Sequence, residues 1–462
     1  MTQSFHFIAI GGAVMHQLAI FLKEQGNTIT GSDDVIFDPA KSNLEKYDLL
    51  PKQIGWSADN IHDQLDGIVL GMHAKADNPE LIKAQQLGLK IYSFPAFIYE
   101  RSKNKKRLVV AGSHGKTTIT SMIMHILKQC EIDFDYLVGS QIKGFKTMVK
   151  ISDPPTVGHG APVIVLEGDE YLSSPIDSSS KFLHYHPHIA IISGIAWDHI
   201  NVFPTFDSYL HTFSEFIKTI DKDGSLIYYK HDTELPDLLK NADCNLIDYE
   251  ALEVNYSDQY TLIQFEGKEY QLQLFGAHNM ENLNAALLAC KELGISFSTS
   301  LEKLESFEGS AKRLEIIHQD FNKNVFAYRD FAHAPSKLKA SLKALRSKYP
   351  NYKIVGVFEL HTYSSLQEDF LPHYKDSLMP ADVAAVFLDE HALKIKGKSD
   401  IKDELIQTAF NDQQLPILRT KEALSHLLNQ QPNENVVFAF MSSGNFGGFN
   451  ILEWTNLNFI KK

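Results

Sequence analysis

The sequence is poor in cysteine: 462 residues contain only Cys130, Cys244 and Cys290. They are too scattered for a disulfide framework or a metal-binding pair. Each reads as a buried thiol of a reducing compartment, which places the chain in the cytoplasm. Basic charge is not in excess, with 44 Lys and Arg against 57 Asp and Glu and a formal net charge of −13. That argues against general nucleic-acid binding, which needs a basic face. Small anionic ligands stay open, since one local loop can hold them. No apolar run is long enough to span a membrane. The apolar start follows no basic segment and ends in a glycine turn, unlike a secretory signal. Low-complexity tracts, fixed-period repeats and an Asn-Lys-x-Asp guanine motif are also missing. What remains is 44% hydrophobic and 22% charged. That is ordinary for a soluble enzyme, and the length suits two to four domains.

One stretch organises the chain: Arg107-Leu-Val-Val-Ala-Gly-Ser-His-Gly-Lys-Thr-Thr118. Leu108 to Ala111 is a short apolar run of the kind a central parallel strand shows. Gly112 and Gly115 permit a sharp turn, and from Thr117 to Lys128 apolar residues recur at helical spacing. A glycine loop that feeds a helix N-terminus is an anion site, because unpaired N–H groups and the helix dipole face the ligand. Lys116 adds a positive charge for outer phosphates, and Thr117 a hydroxyl for magnesium. The loop departs from the standard P-loop spacing, with Val110 where the first glycine would stand. The bland alternative is an ordinary strand–helix turn with Lys116 as a solvated surface charge.

Upstream, His6-Phe-Ile-Ala-Ile-Gly-Gly-Ala-Val-Met15 reads as a strand ending in a glycine turn. A helix and a second strand to Gly31-Ser32-Asp33 follow. This βαβ unit is a design for a nucleotide or nucleotide sugar, although Ala9 and Val14 replace glycines of the full fingerprint. A further strand and turn, Asp66 to His73, precede Asn78-Pro79 at a helix start. The basic run Arg101 to Arg107 reads as a linker.

Downstream, Val163 to Glu167 is a buried strand ending in Glu167-Gly-Asp-Glu170. A carboxylate there, beside a P-loop, is where nucleotide-bound magnesium needs a hard oxygen ligand. Another strand leads to Asp198-His199. Tyr260–Phe265 and Tyr270–Phe275 flank Glu266-Gly267 as a hairpin. Gly276-Ala-His-Asn279 then opens a helix, where Asn279 is either a cap or a donor to an adenine edge. From Lys312-Arg313 onward, strands and helices alternate through Asp330-Phe-Ala-His333 to a last glycine-rich turn at Met441 to Gly448. That pattern is a further α/β domain with a mostly parallel sheet.

Taken together, these motifs resemble the Mur ligase family, ATP-dependent amide-forming enzymes of peptidoglycan synthesis. The carrying residues are Gly112-Ser-His-Gly-Lys-Thr-Thr118, Glu167-Gly-Asp-Glu170, Asp198-His199, Gly276-Ala-His-Asn-x-x-Asn282, Lys312-Arg313 and Asp330-Phe-Ala-His-Ala-Pro335. The resemblance implies an α/β fold of three domains. These are a Rossmann-like N-terminal domain over residues 1–104, a central P-loop ATPase domain over 105–306 and a Rossmann-like C-terminal domain over 307–462.

It also implies roles. Gly112, Ser113, His114, Gly115, Lys116, Thr117 and Thr118 would cradle ATP, joined by Asn279, Arg313, Asp330 and His333. Thr117, Glu167 and His199 would hold Mg2+, and Lys116, Glu167 and His199 would carry the chemistry. Gly11, Gly12, Ala13, Met15, Ser32, Asp33 and His73 would bind UDP-N-acetylmuramate. The amine substrate would be L-Ala-γ-D-Glu-meso-diaminopimelate, with L-alanine as the alternative. Ile36 to Pro39, Ser180 to Tyr185, Asp330 to His333 and Met441 to Gly448 look more like the tripeptide branch. Phe358-Glu-Leu-His-Thr-Tyr363 looks like the alanine branch, but Ser365 replaces an arginine usual there. Around Phe213-Ser-Glu-Phe216 no lysine stands at the place where several relatives carry a carbamylated one.

The family's chemistry is attack of a carboxylate on the γ-phosphate of ATP, giving an acyl phosphate that an amine then captures. A P-loop kinase or GTPase, or a non-catalytic UDP-sugar sensor, would leave part of this motif set without a purpose.

Overall fold

The computed structural model describes residues 2–152, 160–197, 202–257, 260–309, 313–389, 393 and 401–460. Contacts divide the chain into two compact units, residues 1–250 with 282–304, and 251–281 with 305–462.

The first unit holds two sheets. β1 (Ser4–Ile8), β2 (Thr28–Ser32), β3 (Gly67–Leu70) and β4 (Ile91–Ser93) form a parallel sheet in the order β2-β1-β3-β4. Strand order reverses on either side of β1, so the turn after β1 lies at the switch point where such sheets bind ligands. The second sheet draws on β5 (Lys106–Ala111), β6 (Phe134–Leu137), β7 (Val149–Lys150) and β8 (Val163–Glu167). A small hairpin of β9 (Leu172–Ser174) and β10 (Asp177–Ser180) stands apart. The sheet is completed by β11 (Ile189–Ile192), β12 (Ser225–Tyr229) and β13 (Asn245–Tyr249), in the order β13-β12-β11-β5-β8-β6-β7. Only β7 runs antiparallel to its neighbour. Leu108, Val109, Val110 and Ala111 are all fully buried, as a central strand covered on both faces requires. One apolar cluster runs from Phe7 and Leu18 through Val109 and Leu166 to Phe213, so the two sheets of this unit share a core.

Residues 101–107, expected as a polar linker, are instead built into that unit. The helix Phe94–Ser102 runs almost into β5. Lys105 is buried and its ammonium bonds Asp135 and the Ser152 hydroxyl, while the Arg107 guanidinium donates to backbone carbonyls including Tyr185 and Lys103. Each buried cation is supplied with acceptors, the condition for burying charge at all.

The second unit begins with β14 (Asn255–Tyr256), β15 (Thr261–Phe265) and β16 (Lys268–Leu272). The expected Glu266-Gly267 turn joins the last two, both residues at positive φ as a two-residue hairpin turn demands. Six strands make its main sheet: β17 (Glu315–Asp320), β18 (Val325–Asp330), β19 (Lys353–Glu359), β20 (Val383–Phe387), β21 (Ile417–Leu418) and β22 (Val436–Met441). Their order is β17-β18-β22-β19-β20-β21, parallel except for the edge strand β17. Along β18, Val325 and Ala327 enter one core cluster and Phe326 and Tyr328 the other, so the sheet is packed on both faces. All three cysteines are free; Cys290 is buried, but Cys130 and Cys244, expected to be buried, are partly exposed. Among the described residues, no helix is long and apolar enough to cross a membrane.

Candidate functional site

The loop after β5 is bounded by the strands on either side of β5. Gly112 and Gly115 both have positive φ, 114° and 73°, and Gly115 caps the helix Lys116–Gln129. A methyl group on Gly112 would fall 2.5 Å from the Ser193 hydroxyl, and one on Gly115 would fall 2.0 Å from the Asn282 amide oxygen. Side chains are excluded at both positions, and backbone N–H groups stay available at the helix N-terminus. The segment after β11 clasps the loop. Ser113 N–H donates to Gly194 O at 2.8 Å, its hydroxyl donates to Ala196 O at 2.8 Å, and Ala196 N–H returns a bond to that hydroxyl at 2.8 Å.

Pairing of Val110 with Glu167 puts the end of β8 beside this loop. Thr117 Oγ1 donates to Glu167 Oε1 at 2.8 Å, and Gly139 N–H donates to Glu167 Oε2 at 3.0 Å. Lys116 Nζ donates to Gly112 O at 2.7 Å and to Glu170 Oε2 at 2.9 Å. Burial alone would lower the Lys116 pKa, but the carboxylates of Glu170, Asp169 and Glu167 hold it above its ordinary value. Gly112 to Thr118 and Glu167, expected from sequence to act together, are thus assembled in one place. The hydroxyl–carboxylate pair of Thr117 and Glu167 is a set of hard oxygen donors and fits a magnesium ion. His199, the third expected ligand, lies outside the described residues with Asp198. Among the described residues, no three His, Cys, Asp or Glu side chains cluster to hold a metal.

At the switch point of the N-terminal sheet, Ala9 takes φ 67°, so the left-handed residue of the turn stands where a full fingerprint has glycine. Gly11 N–H donates to Asp33 Oδ2 at 2.7 Å, and a Cβ on Gly11 would meet that oxygen at 2.9 Å. Burial raises the Asp33 pKa more than this bond lowers it. The Ser32 hydroxyl points inward, to Glu80. Met15 is buried at the start of its helix, whereas Ala13 and His73 are exposed.

In the second unit, Asn279 Nδ2 donates to Phe275 O at 2.9 Å, and the Arg313 guanidinium lies 4.7 Å from the Phe331 ring centroid. Asp330 is buried and accepts from the Ser341 hydroxyl. Burial raises its pKa, while Ser341 and the Arg313 charge oppose the rise. His333 Nδ1 contacts Phe331 O at 2.9 Å. A pocket of about 190 Å³ opens nearby in the chain, lined by Arg329, Ser442, Asn445, Phe446 and Asn450 among others.

Sequence reasoning left several participants unassigned. Glu170 and Asn282 sit inside quoted motifs but were given no role. Ser193, Tyr209 and Glu80 carry no local signal, since only tertiary contact brings them to these loops.

Comparison with known proteins gives the family. Residues 4–106 match the family description "Mur ligase family, catalytic domain" and residues 110–290 match "Mur ligase middle domain". UDP-N-acetylmuramate–L-alanine ligase of Clostridium botulinum (strain Langeland) is 30% identical over 402 residues, covering 82% of this chain and 83% of that protein. A solved structure of that ligase from Thermotoga maritima superimposes with a TM-score of 0.68 at 22% identity, covering 96% of each chain. UDP-N-acetylmuramate:L-alanyl-gamma-D-glutamyl-meso-diaminopimelate ligase of Neisseria meningitides superimposes with a TM-score of 0.59 at 27% identity, covering 66% of this chain and 98% of that one. The fold is the three-domain α/β architecture of these neighbours, and the protein is an ATP-dependent amide-bond ligase. It belongs to the Mur ligase family, whose members serve the peptidoglycan pathway.

Proposed function

We propose that this ligase joins the lactyl carboxylate of UDP-N-acetylmuramate to the amino group of an L-alanyl acceptor. The likeness to UDP-N-acetylmuramate–L-alanine ligases over more than four-fifths of both chains carries this reading, and it favours free L-alanine as the acceptor. The turn at Gly11, Gly12 and Ala13, with Met15, Ser32, Asp33 and His73, forms the sugar-nucleotide side. Gly112 to Thr118 cradle the ATP phosphates, and Asn279, Arg313, Asp330 and His333 are assigned to the nucleotide as well.

A carboxylate and a triphosphate repel each other, so the chain must neutralise charge where they meet. Lys116 supplies one positive charge there. Thr117 and Glu167, with His199, would hold Mg2+, which would supply further positive charge for the phosphoryl oxygens. Transfer of the γ-phosphoryl group to the carboxylate releases ADP. The amine then attacks the acyl carbon and phosphate leaves.

A second reading takes the acceptor to be L-Ala-γ-D-Glu-meso-diaminopimelate. The Neisseria structure at 27% identity supports it, as does Ser365 in place of an arginine. So does the Arg329 pocket, whose cation suits an acceptor with further carboxylates. Phosphate release with ATP, magnesium and UDP-N-acetylmuramate tests both, with L-alanine compared against the tripeptide. Release with alanine alone upholds the first reading, and release with the tripeptide alone upholds the second. Release with neither refutes the reaction.

A further inference from the structure

Glu170 is almost completely buried, and its carboxylate faces Lys116 at the start of the helix that follows the glycine loop. Oε2 accepts from Lys116 Nζ at 2.9 Å, and Oε1 accepts from the Tyr209 hydroxyl at 3.2 Å. The Tyr209 oxygen also lies 3.0 Å from Ser113 Oγ, and Ser113 is the residue clasped by Ala196. A chain of polar contacts therefore runs from the ammonium that would meet a phosphate, through Glu170 and Tyr209, back into the loop that would hold that phosphate. An ammonium has three donors. In Lys116 one is spent on Gly112 O and one on Glu170. A nucleotide phosphate that draws on Lys116 competes with the carboxylate for the same charge.

We propose that Glu170 is a positioning residue that competes with the nucleotide phosphates for Lys116 and thereby sets how tightly the product ADP is held. The inference rests on the reading of Gly112 to Thr118 as the ATP site. Recapture of the ammonium by Glu170 as the phosphates leave lowers the cost of product release. Tyr209 tunes the competition. Its hydroxyl withdraws charge from the carboxylate, so its loss makes Glu170 a stronger rival for the lysine.

The test is calorimetric binding of ADP with magnesium to the full-length protein and its variants. Glu170→Gln keeps the shape and removes the charge, and it is expected to bind ADP about tenfold more tightly, the size of one charge-assisted hydrogen bond. Tyr209→Phe is expected to bind ADP more weakly, and to lose that effect when combined with Glu170→Gln. In a Lys116→Met background, Glu170→Gln is expected to change ADP affinity little. Unchanged or weaker binding by Glu170→Gln overturns the proposal. So does an equal gain in the Lys116→Met background, which would mean simple repulsion between carboxylate and phosphate. Failure of the wild-type protein to bind ADP would instead refute the ATP-site reading itself.

Discussion

Thr117 Oγ1, in the first turn of the helix Lys116–Gln129, donates at 2.8 Å to Oε1 of Glu167, the last residue of β8. The bond prepares two oxygen donors before any metal arrives. Glu167→Gln preserves the shape and an acceptor for Gly139 N–H but removes the charge. Turnover is expected to fall at least ~100-fold, comparable to losing a main electrostatic group, and the magnesium requirement is expected to rise. Thermal melting should move little. Magnesium titrations of phosphate release check the first two, and a melting curve the third.

Lys116→Ala is expected to lower turnover at least ~100-fold. Because it removes the Lys116 ammonium from beside the buried Glu170, the melting temperature should fall as well. Adding Glu170→Gln to Lys116→Ala should recover much of the melting temperature and none of the turnover. Parallel melting and phosphate-release assays separate the two effects.

Glu80 is fully buried and accepts from Ser57 N–H at 3.0 Å, Asn60 Nδ2 at 2.8 Å, the Ser32 hydroxyl and His6. Burial would raise its pKa, but these bonds together hold it below the ordinary value. Glu80→Ala leaves several buried polar groups unpaired and is expected to cost about 3 kcal/mol of stability. Loosening of Ser32 and Asp33 should raise the KM for UDP-N-acetylmuramate more than it lowers kcat. Denaturant unfolding and steady-state kinetics read the two outcomes.

His278 follows Gly276 in the motif that opens the helix Ala277–Glu292, and burial pushes its pKa down to about 4 from 6.5. Between those values the unfolded chain binds a proton that the folded chain does not, so stability falls as pH drops through that window. His278→Gln is expected to flatten the slope of melting temperature against pH from about 6.5 to about 4, relative to wild type. An unchanged slope would show that the imidazole is not held neutral.

Arg329 lines the C-terminal pocket and bonds Glu315 at 2.9 Å. If the pocket takes an acceptor carboxylate, Arg329→Gln raises the KM for the amine substrate about tenfold, a typical charge-assisted contact, and leaves the KM for ATP unchanged. Equal changes in both would point to a general weakening of the sheet.

Much of this protein was written in local sequence. The apolar run before Gly112, the glycines and the helical spacing after Lys116 specify strand, loop and helix, because each depends on neighbours in the chain. The same holds for the Glu266-Gly267 hairpin and for the Asn78 cap, whose side chain accepts from Glu80 N–H at 2.9 Å. Local composition misled at Arg101 to Arg107. Five basic residues in seven look solvated, and only the folded chain shows acceptors waiting for Lys105 and Arg107. The edge strand Glu315–Asp320 was also illegible, since an exposed edge lacks the clean apolar alternation of its neighbours. Sequence alone thus determined the family, the glycine loop between strand and helix, and the acid at the end of β8. Tertiary structure alone decided that Lys116 shares its charge with Glu170, that Ser193 and Asn282 close on the loop glycines, and that Ser32 turns inward to Glu80. The reason is that pairing of residues tens of positions apart depends on strand order and packing, which no short window of sequence contains.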